Sequence, residues 1–147
     1  MIKNIGAYLS NLQAYIAGKT AISTIFSTRI YAGKPITPPG TGAYMYFQLL
    51  NNSELTGDDR SGTTKKKALF EFYLVANDKA TPDEDLYTWL DAVSNALVTI
   101  GGDDDAITLG ALKAHSIDEG QQSGVLRETD ENPYIIAQYH ISYKSLY

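Results

Sequence analysis

Two apolar runs, AYMYFQLL over Ala43–Leu50 and ALFEFYLVA over Ala68–Ala76, constrain the fold of this chain more than any other feature. Both are rich in aromatic and β-favouring residues, and both carry apolar side chains at odd and even positions alike. Successive side chains of a strand point to opposite faces, so a run of this kind has no face to give to water. The runs therefore predict strands in the middle of a sheet, covered on both sides. The stretch between them has the opposite character: NNSELTGDDRSGTTKKK, Asn51–Lys67, holds almost nothing a core can bury. The simplest topology is an antiparallel hairpin whose connection far exceeds the usual ~2–5 residues, with the strands extending into it.

The rest of the chain supplies what covers such strands. Ile2, Ile5, Leu9, Leu12 and Ile16 recur at helical spacing, and Gly18 offers a stop. Ala21–Ser27 is open between a continued helical stripe and a core plug from a loop. RIYAGKP reads as a short strand leaving into a turn, and the proline- and glycine-rich Gly33–Gly42 as a loop. A second helix follows. Thr81 is placed to cap it, Pro82 suits its first turn, and Glu84 stands where a capping box needs a carboxylate. Its stripe is Leu86, Leu90, Val93, Leu97 and Ile100, ended by Gly101 and Gly102. Ile107–Ile117 and Tyr134–Tyr143 have strand character, separated by a polar connection over Asp118–Asn132. The order predicts an α+β fold: one domain over residues 1–147, a mostly antiparallel β-sheet, two main helices packed on it and long projecting hairpin loops.

Composition sets the class. A chain of 147 residues buries roughly two-thirds of its unfolded surface around one core. With 17 acidic against 12 basic residues and a net charge of -5, it is a poor match for nucleic acid, whose phosphates require concentrated Lys and Arg; no specific nucleic-acid binding is expected. The absence of cysteine excludes disulfides, thiolate metal sites and a cysteine nucleophile. No apolar run approaches the ~20 residues that span a bilayer, and the N-terminus has no signal-peptide pattern, so a cytosolic product with no membrane partner is expected.

The stretches that suggest chemistry are weak. AGKT at Ala17–Thr20 lacks the leading glycine of a phosphate-binding loop and follows a helix rather than a strand. Asp103–Asp105 lacks the spacing of a calcium loop and reads as a solvated turn. His115 and His140 both fall in strands; a metal site would need them to converge with a carboxylate such as Asp118, and sheet-surface histidines are the simpler reading. No serine sits in a nucleophile elbow. No catalytic, cofactor-binding or metal-binding residue is assigned.

The whole order of elements resembles the tail terminator, or tail completion, proteins of long-tailed bacteriophages. The likeness is carried by the exit RIYAGKP, by the aromatic strand and polar insert, and by the helix TPDEDLYTWLDAVSNAL with its Leu86, Leu90, Val93 and Leu97 stripe. It implies an assembly protein without catalytic residues or cofactors: a hexameric ring in the virion that caps the tail tube, ends its polymerisation and joins the head. The implied partners are further copies of the chain, the tail tube protein and a head-completion or neck protein. Another neck or tail component is the nearest alternative, and a small enzyme or ligand-binding domain a more distant one. In the ring reading the polar insert is an interface arm. Glu54, Asp58 and Asp59 lie toward one side of it, and Arg60, Lys65, Lys66 and Lys67 toward the other, a split that favours head-to-tail contact. Tyr44, Tyr46, Tyr73, Tyr139 and Tyr143 can bury a ring while keeping a polar tip wet at an interface, and core packing alone would explain several of them.

Overall fold

The computed structural model describes residues 5–58, 63–77, 79–98, 108–109, 112–128 and 132–146. In chain order the elements are α1 (Ile5–Ala17), α2 (Thr20–Phe26), β1 (Ile30–Ala32), β2 (Tyr44–Asp58), β3 (Thr63–Val75), α3 (Pro82–Leu97), β4 (Thr108–Leu109), β5 (Leu112–Gln122) and β6 (Tyr134–Leu146). The strands form one six-stranded sheet in the order β1-β2-β3-β6-β5-β4. Among the described residues only the β1–β2 pair is parallel. The α+β class and the mostly antiparallel sheet are as the sequence predicts.

The hairpin is less loop-like than its composition. Asn51–Asp58 and Thr63–Lys67 are strand, and pairing continues outward from Tyr44↔Val75 to Asp58↔Thr64. The connection narrows to positions 59–62, outside the described residues. Nor does the hairpin project alone, because β6 stays in unbroken register with β3 from Val75↔Tyr134 to Thr63↔Leu146. The polar connection after Ile117 is likewise partly strand, since β5 runs on to Gln122. Backbone hydrogen bonds explain both extensions: a neighbouring strand satisfies the ladder whatever the side chains are.

Alternation along β3 decides where the core sits. Ala68, Phe70, Phe72 and Leu74 are buried against the helices, together with Met45 and Phe47 of β2 and Ile135, Ala137, Tyr139 and Ile141 of β6. The helices contribute Leu12 and Ile16, Ile22 and Phe26, and Leu86, Trp89, Leu90, Val93 and Leu97. The open segment Ala21–Ser27 thus resolves as helix, with Phe26 edge-on to Trp89 at 5.7 Å between centroids. Each fully buried side chain of this size stabilises the fold by roughly 1.5–3 kcal/mol before entropy is counted.

Two details of α3 depart from the sequence reading. Thr81 makes no side-chain capping bond; its carbonyl accepts the first intrahelical bond, from the Asp85 N–H at 3.1 Å. The acidic first turn Asp83, Glu84, Asp85 complements the positive helix end instead, and Asp83 pairs with Arg127. At the other end Val98 turns extended, so the helix closes before the glycine pair, which lies with Ile100 outside the described residues.

Candidate functional site

All three helices lie on the core face, so the sheet's second face is covered differently. It presents an aromatic ladder. Tyr31 meets Tyr44 edge-on at 6.4 Å, Tyr44 stacks toward Tyr46 at 6.4 Å, Tyr46 stacks on Tyr73 at 4.5 Å and 9°, and Tyr73 lies 6.2 Å from Tyr134. The rings come from β1, β2, β3 and β6 and meet because register places Tyr46 opposite Tyr73 and Tyr44 opposite Val75, itself opposite Tyr134. This is how the second apolar face of the central strands is covered: by tyrosines and a loop.

The loop is the proline-rich Gly33–Gly42. Asn132 Nδ2 donates to Asn77 Oδ1 at 3.1 Å, and Asn77 Nδ2 donates to the Pro39 carbonyl at 3.0 Å. Asn77 is thereby buried with its polar groups satisfied. Arg29 fixes the loop's end, its Nε donating to the Ala43 carbonyl at 2.7 Å. Between loop and sheet lies an open groove of about 570 Å³, lined by Tyr46, Tyr73 and Tyr134, by Pro35 and Ile36, and by Glu128. Ile36 is fully exposed beside it.

The groove presents phenol hydroxyls and a carboxylate. Tyr73 donates to Glu71, and Tyr134 donates to Glu128 at 2.6 Å. Burial, followed by the bond to and charge of Glu71, pushes the Tyr73 phenol up to about 12. It stays neutral at ordinary pH and acts as a donor rather than a base. Of the two readings open for the tyrosines, Tyr139 takes the core one: it faces the helices, is fully buried and shares a 2.6 Å hydrogen bond with Ser94. Its polar tip is satisfied by a helix, not by water or a partner.

The sequence-predicted interface residues divide between two kinds of strand. Glu54 and Asp58 lie on β2, in register with Lys66 and Thr64 of β3. Lys65, Lys66 and Lys67 lie on β3, which is flanked on its other side by β6, so the basic group occupies an inner strand. Asp59 and Arg60 lie outside the described residues. Register adds a basic residue that no sequence spacing singled out: Lys113 of β5 is opposite Lys144 of β6, which is opposite Lys65. His140 shares a register row with Asp118, while His115 falls at an irregularity between Ala114 and Ser116. Among the described residues no group of three or more potential metal ligands comes together. Nor is any helix among them long and apolar enough to cross a membrane.

Among solved structures, a similar fold extends along nearly the whole chain in a large particle. The similar chain is one from the virion of a native gene transfer agent particle, 16% identical, with a TM-score of 0.62 over 99% of this chain and 100% of that one. The likeness is one of fold. A second solved chain, 15% identical with a TM-score of 0.42 over 97% of this chain and 94% of that one, is a looser likeness. No protein-family profile matches the sequence, and no curated protein matches it.

Proposed function

We propose that this chain is a structural component of a phage-like virion and, within it, the tail terminator: a hexameric ring that caps the tail tube, stops its polymerisation and offers the surface that joins the head. The observation that carries the reading is the end-to-end match of fold to a chain of a gene transfer agent virion. It supports a structural role in a virion; the rest of the proposal is an assembly role without catalysis in the neck or tail, put together in the host cytoplasm, with further copies of the chain, the tube protein and a head-completion or neck protein as partners. The matched chain belongs to a whole particle, so a head-completion or tube protein accounts for the same likeness.

Two measurements separate these readings. Purified protein examined by light scattering and negative-stain microscopy should give closed rings of one size; open stacks of rings would point to tube protein. Particles made without the chain should carry tails of irregular length or tails without heads. Uniform tails joined to heads in its absence would end the terminator reading.

A further inference from the structure

The groove between the tyrosine face and the proline loop is unbalanced in its hydrogen-bonding groups. The phenol donors of Tyr73 and Tyr134 are committed, the first to Glu71 and the second to Glu128 at 2.6 Å. A hydroxyl has a single proton to give. Two amides of the lining are engaged as well, Gln48 with the Tyr73 hydroxyl and Asn132 with Asn77. Acceptors are in surplus. A carboxylate has about four acceptor sites, and the bond from a phenol occupies a single site on Glu71 and on Glu128. Those bonds also place the carboxylates. Glu71 stands in register opposite Gln48, which lines the groove, and Glu128 lines it directly. Both are held by neighbouring rings, since the centroids of Tyr73 and Tyr134 are 6.2 Å apart.

Charge is unbalanced in the same direction. Arg127, next to Glu128 in sequence, pairs with Asp83 instead. Lys34 lines the groove and is engaged within the chain, one positive charge against two carboxylates.

An occupant that suits this groove brings donors, positive charge and a flat face for aromatic rings. A guanidinium has all three: five N–H donors in one plane, a charge that is always present, and weak hydration that lets it stack on tyrosine. Ring surface is at hand in the stacked pair Tyr46 and Tyr73 and in Tyr134. An ammonium has the charge without the planar fork. A proline segment, which docks in other aromatic grooves, brings carbonyl acceptors and needs the donors that Tyr73 and Tyr134 have committed.

We propose that the groove binds an arginine side chain on an extended segment of a protein partner, with Glu71 and Glu128 as acceptors for the guanidinium and the tyrosine rings against its plane. A groove of about 570 Å³ holds a few residues, so the segment's neighbouring atoms lie along Pro35 and the exposed Ile36. The net charge of -5 adds attraction at a distance for a basic partner. The inference rests on the reading that the chain meets other proteins in a particle, and not on the ring.

The test uses the full chain with its tyrosines labelled for NMR, titrated with a blocked Gly-Arg-Gly-Arg-Gly peptide, its lysine and citrulline counterparts, and a blocked pentaproline. The arginine peptide should shift the Tyr73 and Tyr134 signals. It should bind on the order of tenfold more tightly than the citrulline peptide, which keeps the shape and loses the charge, and several-fold more tightly than the lysine peptide. Glu71→Gln and Glu128→Gln should each weaken binding roughly three- to tenfold, and Lys34→Gln should tighten it. Asp91→Asn, exposed on α3 at the helix side of the sheet, removes the same charge away from the groove and should leave the affinity unchanged. Circular dichroism melts control for folding; Glu128 is exposed, so Glu128→Gln decides if Glu71→Gln does not fold. A citrulline, lysine or proline peptide that binds as tightly as the arginine peptide overturns the proposal. So does an Asp91→Asn loss equal to that of Glu128→Gln, which would be attraction without a site, or an absence of shifts at Tyr73 and Tyr134. Closed rings from a chain that ignores the arginine peptide sink the groove and leave the proposed function standing. Binding by a chain that forms no rings upholds the groove and counts against the ring.

Discussion

Gly42 shows how much one residue of the proline loop decides. Its φ is +84°, and a Cβ there would stand 2.7 Å from the guanidinium carbon of Arg29, the side chain that holds the Ala43 carbonyl. Gly42→Ala should therefore cost about 1–2 kcal/mol from the backbone alone, plus whatever Arg29 loses by moving. A melting temperature within a degree of the unaltered protein would show that the loop adjusts freely. Tyr139 makes a second residue-scale case. Tyr139→Phe leaves the buried Ser94 hydroxyl without its partner, at a cost of about 1–2 kcal/mol near neutral pH. Burial pushes the Tyr139 phenol up to about 12, against an ordinary value of 10.0. Between these values the folded state keeps a proton that the unfolded state has released. The stabilisation is fully present below pH 10 and is lost as pH rises toward 12. Urea titrations at pH 8 and pH 11 should show the unaltered protein losing more stability over that interval than Tyr139→Phe; equal losses would mean that the phenol titrates normally.

At the scale of the element, α3 is where sequence and structure agree most closely. Leu86, Leu90, Val93 and Leu97 are all buried, as their spacing requires. Trp89 joins them beside Leu90, widening the stripe toward α2, where Phe26 receives it. Leu90 is only 5% exposed, so Leu90→Asp buries an unpaired carboxylate and should cost several kcal/mol, a large part of a domain's stability. Little folded protein should survive, and an unchanged melting temperature would be incompatible with this packing. The helix ends were harder to read. A capping box needs a particular backbone geometry at its first residue, and Thr81, at φ -124° and ψ 68°, makes no side-chain capping bond.

For the whole molecule, the part of β2 beyond its pairing with β1 yields a prediction about hydrogen exchange. Asn51 and Ser53 direct their backbone groups toward β3, opposite Leu69 and Lys67, whereas Asn52 and Glu54 direct theirs outward. In the isolated chain the inward amides should exchange slowly and the outward ones fast. Equal rates for the two sets would contradict the register.

The sequence alone determined what depends on local periodicity: Leu9, Leu12 and Ile16 of the α1 stripe, Leu86, Leu90, Val93 and Leu97 of the α3 stripe, the strand character of the aromatic runs, the loop over Gly33–Gly42 and hence the α+β class. Such features follow from side-chain spacing along a single element, which 3.6- and 2-residue repeats display directly. The tertiary structure decided which of two apolar strand faces met helices and which met tyrosines and a proline loop. It also decided that a polar insert becomes ladder, and that Lys113 stands level with Lys65 across two intervening registers. Those outcomes depend on pairing between distant segments, where a shift of one residue exchanges the faces of a strand. The candidate site belongs to this second group. Glu54 and Asp58 were legible as charges in an exposed insert. That they lie on the part of β2 beyond its pairing with β1, in register with Lys66 and Thr64 of β3, is a property of strand order and register, which no stretch of sequence carries by itself.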